Sequence, residues 1–382
     1  METAPAFCQW LLAVPIKAKS KPNRLPTVHD VAKAAGVAVG SVSRALNDHP
    51  NVSPDLRDRI IAAARSLNYS RLRRKRAQPI ASGPGFATGI RLGLICFGME
   101  DALVQLPVVS AALHGIEAAV SAEGGSLMLA NIPRGDRVPA FLVEHQVAGV
   151  IVKGPNVGLL PSEKENELLH YIYQLPHVWL LGQLPNARGD HCNFDQEIAG
   201  RLAAEHLRDK GHVHVAFLNP KPGHAQFEKV KQAFCVATHG FGHRADVIEP
   251  PQTQGVIWPL PAVSAQEKVE VLVRQWADRP AGQRPTAIAV GADTTAVQIY
   301  AVLAKLGIKV GKDVGIVSCN DERSLIMGLH PSLTTIDVRA DAVGRNAVAR
   351  LLWRVSHPGD APPARILIEP TLTERNSVQT VR

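Results

Sequence analysis

The sequence predicts an α/β protein in which a small all-α helix-turn-helix domain precedes two doubly wound lobes with parallel sheets. Two patterns predict this class. Three short helical segments stand close together near the start of the chain, and from Arg91 onward short apolar runs alternate with amphipathic stretches of helical length. The chain has 382 residues, 46% hydrophobic and 20% charged, which is enough to bury several cores and excludes wholesale disorder.

Positive charge is concentrated at the start of the chain. Residues 1–80 contain 14 Lys and Arg against 5 Asp and Glu, whereas the whole chain contains 42 against 34. The remainder is therefore close to neutral. This asymmetry predicts a basic domain that binds a polyanion, joined to a larger part of the chain with a different function.

Residues 1–25 are expected to be a disordered tail, or a tail that results from a misassigned translation start, and not an export signal. The apolar run Phe7–Ile16 is too short to span a bilayer, and Glu2 precedes it where a signal peptide carries positive charge. The five cysteines form no Cys-x-x-Cys pair, which is typical of a reduced protein. We therefore expect a cytoplasmic protein without a membrane segment.

Residues 26–70 are predicted to form three helices. Thr27, with an aspartate three residues later, fits a capping box at the start of the first helix. Gly36 allows a tight turn into a second helix at Val39–Leu46, and Pro54 suits the first turn of the third. Three short helices with surplus positive charge are typical of a helix-turn-helix DNA-binding module.

Residues 71–88 are predicted to be a basic linker. Its first half carries Arg71, Arg73, Arg74, Lys75 and Arg76, and its second half is rich in Pro and Gly. The basic half is expected to contact phosphates. It can be an ordered hinge, or a disordered tether that adds only non-specific affinity.

Residues 89–382 are predicted to form a two-lobed core. Candidate strands are Leu92–Phe97, Ser126–Ala130, Gly149–Val152, Val178–Leu181, Val213–Leu218, Ala287–Val290 and Val314–Ser318. Helical stretches between them are Val109–Ala122, Gln196–Lys210, Thr294–Leu306 and Ala342–Val355. Ligands of such sheets bind beyond the carboxyl ends of the strands, and between two lobes that place becomes a cleft.

The run TVHDVAKAAGVAVGSVSRALN, residues 27–47, resembles the DNA-binding signature of the LacI/GalR family of transcriptional regulators. Later landmarks resemble the family in the same order: Ala203–Leu207, Lys210–His212, Leu333–Ile336 and Thr373–Ser377. The resemblance covers about residues 26–378. It implies a dimeric repressor with a periplasmic-binding-protein-like core, a near-palindromic double-stranded operator, and a cleft for a small effector such as a sugar.

The resemblance also implies the DNA-binding residues. The second helix would lie in the major groove, with Val39, Gly40 and Arg44 facing bases. Contacts to phosphates are implied for Thr27, Ser41, Ser43 and Asn47, and in the linker for Arg71, Arg73, Arg74 and Arg76. Arg44 is the strongest candidate base reader, because a guanidinium can bind guanine in bidentate fashion. A phosphate contact and a solvated side chain are the alternatives.

The linker departs from the family pattern. Gln78 stands where the family has a leucine that wedges into the minor groove. Either arginine side chains replace the wedge or the register shifts.

The effector cleft departs from the pattern too. With Phe234 as the family's aromatic residue on that helix, Val230 occupies the place of the arginine that grips a sugar hydroxyl. The candidate effector-binding residues are Met99, Gln183, Asp195, Lys229, Val230, Trp258, Asp293 and Asn320. Asp195 and Asp293 fit equally well as helix N-caps. The missing arginine indicates an effector unlike a simple sugar, or a core that has lost its effector.

The sequence gives little support for a metal-binding or catalytic function. The 15 histidines include His212 and His214 on one strand, but no further ligand stands at metal-binding spacing nearby. No nucleophile elbow or phosphate loop is present, so we expect no catalytic residue, metal or cofactor.

Two functions stay open at this point. The first is a repressor gated by a small effector, and the second is a DNA-binding regulator whose core serves only for dimerisation or protein docking. A sugar-binding transport protein would have no use for the basic domain. Because no leucine heptad follows Ser377, a dimer and not a tetramer is expected.

Overall fold

The computed structural model of the protein describes residues 27–46, 52–67, 89–98, 107–182, 184–251, 265–359 and 362–381. The chain separates into two compact units, with the division between residues 82 and 83. The predicted tail, residues 1–25, and the predicted linker, residues 71–88, lie outside the described residues.

The described part of the first unit contains the three predicted helices, α1 (Val28–Ala35), α2 (Val39–Leu46) and α3 (Pro54–Ser66). Gly36 ends α1 in the left-handed conformation, with φ of 66°, which a glycine adopts without strain. The three helices share a small apolar core that contains Val31, Val42 and Ile60. This core fixes the helices around the turn and leaves one face of α2 exposed.

The first sheet of the second unit is parallel throughout. Its strands are β1 (Arg91–Phe97), β2 (Ser126–Ile132), β3 (Gly149–Lys153), β4 (His177–Leu180), β5 (Asp190–Phe194) and β11 (Arg365–Ile368), in the order β11-β5-β4-β3-β1-β2. The helices of this lobe are α4 (Pro107–Ala122), α5 (Ala140–Val143), α6 (Glu167–Tyr173) and α12 (Ala340–Ser356). The apolar runs of β1 and β3 are buried because helices cover the sheet.

The second sheet has the order β12-β10-β9-β8-β6-β7. Its strands are β6 (His214–Leu218), β7 (Arg244–Ile248), β8 (Ala287–Val290), β9 (Gly315–Cys319), β10 (Thr334–Asp337) and β12 (Thr371–Thr373). Its helices are α7 (Gln196–Asp209), α8 (Ala225–Gly240), α9 (Ala265–Ala277), α10 (Asp293–Lys305) and α11 (Arg323–Ile326), with a 3-10 turn at Ala281–Gln283. Only β12 departs from the parallel arrangement, since it pairs with β10 in the antiparallel sense.

The chain passes between the two lobes three times, after β5, after β10 and after β11. One apolar cluster continues from the first sheet through α7 and α8 to the second sheet. These crossings confirm the predicted α/β architecture of two lobes. They also bring the carboxyl ends of both sets of strands to face each other across a cleft.

The helices within the described ranges include none with the length and apolar character needed to cross a membrane.

Candidate functional site

Of the predicted DNA-contacting residues that the structure describes, all but Thr27 lie on α2. Gly40, Ser43 and Arg44 are exposed, while Val39 and Ser41 are half-buried. Val42 and Ala45 point into the core of the helical unit. The 3.6-residue period of a helix thus separates a packing face from a free face. Asn47 lies outside the described residues.

Arg44 lies back along its own helix. Its Nε donates to the carbonyl oxygen of Gly40, one turn earlier, over 3.2 Å. A Cβ atom at position 40 would stand 3.7 Å from the Arg44 guanidinium. That distance is an ordinary van der Waals contact, so the position of the arginine does not require a glycine at residue 40.

Thr27 closes the start of α1. Its backbone N and its Oγ1 both donate to Asp30 Oδ2, each over 2.7 Å. The capping box expected at this position is present. An anion that meets Thr27 would encounter a hydroxyl already engaged by a carboxylate.

Hydrogen bonds between the two lobes span the opening of the cleft. The backbone N of Ala225, at the start of α8, donates to the carbonyl oxygen of Asn156 over 2.7 Å. Gln226 Nε2 donates to Asn193 Oδ1, at the end of β5, over 3.2 Å. These contacts join the carboxyl ends of the first sheet to the second lobe.

Lys153, the last residue of β3, is only 2% exposed. Its ammonium donates to the carbonyl oxygen of Gly154 and, over 3.3 Å, to Asn156 Oδ1. Burial lowers the pKa of Lys153 to about 8, against the small opposing influence of Cys96. The last residue of β3 therefore brings a desolvated positive charge to the cleft.

The carboxyl edge of the second sheet holds two buried carboxyl groups. Asp293 is fully buried and accepts from Ser318 Oγ, from Thr335 Oγ1 over 2.8 Å and from the backbone N of Glu322 over 2.7 Å. Burial raises the pKa of Asp293 to about 6. Burial, together with the charge of Asp293, raises the pKa of Glu322 to about 7.

Glu322 also connects the lobes. Its Oε1 accepts from the backbone N of Val108, in the first turn of α4, over 3.0 Å, and from Asn320 Nδ2 over 3.2 Å. Asn320 has a φ of 116°, in the region that side chains rarely adopt. The loop after β9 is thus held in an unusual conformation that places Glu322 against the other lobe.

The remaining predicted effector residues fall into two groups. Asp195 is the N-cap of α7, where its Oδ1 accepts from Glu197 N over 2.9 Å and from Ile198 N over 3.0 Å. Lys229 is half-buried on α8. Met99, Gln183 and Trp258 lie outside the described residues.

Val230, a candidate effector-binding residue, is buried among apolar side chains. Its side chain is 2% exposed and packs in the apolar cluster that joins the lobes, together with Phe234. A Cβ atom at Gly200 would stand 2.4 Å from the Val230 carbonyl oxygen, so α7 and α8 approach closely here. An aliphatic side chain fits this contact because it carries no polar group to satisfy.

Sequence reasoning missed Lys153 and His224, which share the cleft. The signal for Lys153 was a lysine at the end of the apolar run Gly149–Val152, which ordinarily indicates the solvated end of a strand. His224 is the N-cap of α8, where its Nδ1 accepts from the backbone N of Phe227 over 3.4 Å. Burial, aided by Lys221 and Lys153, lowers the pKa of His224 to about 3.

Within the residues that the structure describes, no three potential metal ligands lie together.

Two family models match the chain, and together they span more than half of it. The model for bacterial regulatory proteins of the lacI family matches residues 27–71, and the model for a periplasmic binding protein-like domain matches residues 204–378. The chain belongs to the LacI family of bacterial regulatory proteins. Its helical unit is a DNA-binding domain, and the protein is a transcription regulator.

Characterised relatives of this LacI-family chain match along almost their whole length. The transcriptional regulator MalR of Streptomyces coelicolor is 27% identical over 354 residues, covering 91% of this chain and 95% of MalR. The repressor PurR of Haemophilus influenzae is 26% identical and covers 94% and 100%. The ribose operon repressor of Escherichia coli is 26% identical and covers 92% and 100%.

Solved structures show the same fold. The regulator CelR in complex with cellobiose superposes with a TM-score of 0.60 at 21% identity, covering 92% of this chain and 99% of CelR. The Lac repressor dimer bound to operator and the anti-inducer ONPF gives a TM-score of 0.58 at 21% identity, covering 93% and 100%.

Proposed function

We propose that the protein is a sequence-specific repressor that binds a near-palindromic operator as a homodimer and is gated by a small molecule held between its lobes. The observation that carries this proposal is the joint presence of an exposed α2 face and a core whose lobes meet through polar contacts across a cleft. The first suits DNA, and the second suits a ligand-dependent closure.

The recognition helix reads DNA through few side chains. Arg44 reads a base edge in the major groove, while Val39 and Gly40 offer a methyl surface and bare backbone. Thr27, Ser41, Ser43 and Asn47 position the domain on phosphates. Because few donors face the bases, DNA shape contributes to the choice of operator.

The linker arginines complete the DNA contacts. Arg71, Arg73, Arg74 and Arg76 add phosphate contacts that do not depend on sequence and that weaken as the salt concentration rises.

Gating uses the contacts between the lobes. The bonds from Ala225 N to Asn156 O, from Gln226 to Asn193 and from Val108 N to Glu322 are made only when the lobes are close. A ligand that binds one degree of closure better than another shifts the population of the core. In a dimer this shift changes the match between two DNA-binding domains and two half-sites.

The relatives support this assignment. PurR and the ribose operon repressor are named as repressors, CelR binds cellobiose, and the Lac repressor binds operator as a dimer. By analogy, the effector of this chain is a sugar or related metabolite, and the protein acts in the cytoplasm without a catalytic role.

One observation favours a second function, in which the core serves only for dimerisation or protein docking. Val230, in place of the family's arginine, is buried among apolar residues and offers nothing polar to a ligand. A metabolite screen by thermal shift separates the two functions. An effector stabilises the folded protein by mass action, whereas a docking core responds to no metabolite.

The DNA-binding function is tested by selecting bound DNA from a random pool with the full-length protein at about physiological salt. We expect a palindrome with two half-sites. Enrichment of no sequence would overturn the assignment as a sequence-specific regulator.

Arg44→Ala is expected to cost about 1–3 kcal/mol of operator affinity and to relax the preference at one base position in each half-site. Arg65→Ala on α3 is the matched control, because it removes an exposed arginine of the same domain away from the recognition helix. It should leave the base preference unchanged. If Arg44→Ala weakened every sequence equally, Arg44 would be a phosphate contact.

A further inference from the structure

Lys153 is unlike the other charged groups that the structure buries. Among described residues that are less than a tenth exposed, the Lys, Arg, Asp and Glu side chains are those of Lys153, Asp190, Asp293 and Glu322. Asp190 is paired with Arg350 and Arg354, and the two carboxyl groups at the second sheet have raised pKa values. Lys153 is the buried cation of this set, and its two hydrogen-bond acceptors are neutral.

Within the described residues, the surroundings of Lys153 add positive charge and no negative charge. Lys221 and Lys153 both depress the pKa of His224, so these three basic groups lie near one another where α8 begins. The thiol of Cys96 on β1 is the other titratable group that influences Lys153, and burial raises its pKa to about 11. Within the part of the chain that the structure describes, no carboxylate forms an ion pair with Lys153.

Two donors at this site have no partner among the residues that the structure describes. An ammonium has three N–H groups, and two are engaged by Gly154 O and Asn156 Oδ1. The His224 ring is neutral and accepts at Nδ1 from Phe227 N, so its proton stands on Nε2, which is a donor. A buried charge without an opposite charge is unfavourable, and a bound anion would offset that cost.

We propose that the effector is anionic, and that its phosphate or carboxylate group accepts from Lys153 Nζ and His224 Nε2 in the cleft between the lobes. This inference rests on the proposed gating function, since it names the chemical class of the gating molecule. The anion sits beside the bond from Ala225 N to Asn156 O, so it holds the lobes together at their opening. Phosphorylated sugars and sugar acids are the matching class of metabolite.

The binding of such an anion depends on pH in a definite direction. Lys153 has a pKa of about 8 in the free protein, while Cys96 stays a thiol and His224 stays neutral in that range. Above pH 8 the free protein loses the proton that the anion requires. The affinity for a carboxylate ligand is therefore expected to fall about fivefold between pH 8 and pH 9.

The experiment uses matched pairs of neutral and anionic ligands with the full-length protein. The pairs are glucose with glucose 6-phosphate, glucose with gluconate, and ribose with ribose 5-phosphate, and inorganic phosphate is a separate arm. Stabilisation is measured by thermal shift and affinity by calorimetry. We expect at least one organic anion to raise the melting temperature in a saturable way, while its neutral partner does not.

Variants connect the effect to Lys153. Without ligand, Lys153→Met should melt at a higher temperature than the wild type, because it removes a desolvated charge. Its affinity for the anion should be at least tenfold weaker than that of the wild type. Lys312→Met, at an exposed lysine of the second lobe, is the matched control and should keep the full response. Lys153→Gln serves the same purpose if the methionine variant does not fold, and the pH dependence needs no variant.

The outcomes separate this inference from the proposed function. A neutral sugar that stabilises the protein as strongly as its anionic partner overturns the inference and leaves the gating function intact. An anion response of equal size in Lys153→Met, or a response to inorganic phosphate that is the same in both proteins, overturns it as well. If no ligand of the panel acts while the protein still selects a palindrome, the anionic effector is rejected and DNA recognition stands.

Discussion

At the scale of single residues, the two buried carboxyl groups of the second lobe make stability depend on pH. The pKa of Glu322 is raised to about 7 from an ordinary value of 4.5, and that of Asp293 to about 6 from 3.8. Between the ordinary and the raised values, the folded protein holds more protons than the unfolded chain. The stability that these groups contribute is therefore present at low pH and is lost as the pH rises through about 7.

Glu322→Gln should make the protein more stable than the wild type at pH 8, by about 1–3 kcal/mol, because it removes a charge that burial disfavours. The advantage should vanish near pH 5, where Glu322 is protonated in the folded state. The amide oxygen can still accept from Val108 N. Urea unfolding at the two pH values measures the difference.

The control for this prediction is Glu369→Gln, at an exposed glutamate between β11 and β12. It should change stability little, and equally at both pH values. A loss of stability in Glu322→Gln that is the same at pH 5 and pH 8 would show that the bond to Val108 outweighs the charge.

Single residues also show which parts of the cleft the sequence could predict and which parts it could not. The start of a helix after an apolar strand located Asp293, since a side chain there must lie at the carboxyl edge of the sheet. Val230 was placed by its distance from Phe234, and that spacing does not determine which way a side chain points. The sequence around Lys153 is typical of a solvent-exposed residue at the end of a strand. Its burial depends on contacts with the other lobe, which the local sequence does not show.

At the scale of secondary-structure elements, the contact between α4 and α12 depends on two glycines. A Cβ atom at Gly344 would stand 2.1 Å from the Ala112 carbonyl oxygen, and one at Gly115 would stand 2.0 Å from that of Asp341. Backbone cannot yield as a flexible side chain does. The two helices cross at a separation that only glycine permits at both points.

Gly344→Ala is expected to destabilise the protein by about 1–3 kcal/mol or more, because the added methyl group forces α12 away from α4. Gly240→Ala is the matched control, since it also lies in a helix and its Cβ would meet no atom within 4 Å. That control should be neutral or stabilising by up to about 1 kcal/mol. Equal stability of the two variants in urea unfolding would contradict the close crossing.

Elements with an ordinary apolar pattern were predictable, and those held by polar contacts were not. The runs of β1, β3 and β8 were identified directly. Strand β5 reads DHCNF and carries few strand signals, yet all five residues are buried. Burial alone would raise the pKa of Asp190, but hydrogen bonds from Arg354, Arg350 and Ala364 N hold it well below its ordinary value. These partners lie far away in the sequence.

At the scale of the whole molecule, the two units differ in net charge and in function. The excess of Lys and Arg lies in residues 1–80, and the unit that follows is near neutrality. Affinity for DNA in general therefore depends on the first unit and on salt, whereas regulation depends on the lobes of the second. A protein built in this way needs a coupling free energy between the cleft and the DNA-binding domains, which is a property of neither unit alone.

That coupling is measurable in both directions. If an effector changes operator affinity by some factor, operator DNA must change effector affinity by the same factor, because both ratios describe one thermodynamic cycle. Couplings of this kind are typically about 5–150-fold. We expect the operator affinity, followed by fluorescence anisotropy with and without saturating effector, to change by the same factor as the effector affinity, followed by calorimetry with and without operator. A DNA duplex without the operator sequence is the control and should leave the effector affinity unchanged at the same salt. Two ratios equal to one would mean that the cleft does not gate the DNA-binding domains, and the core would then be a dimerisation module that happens to bind a ligand.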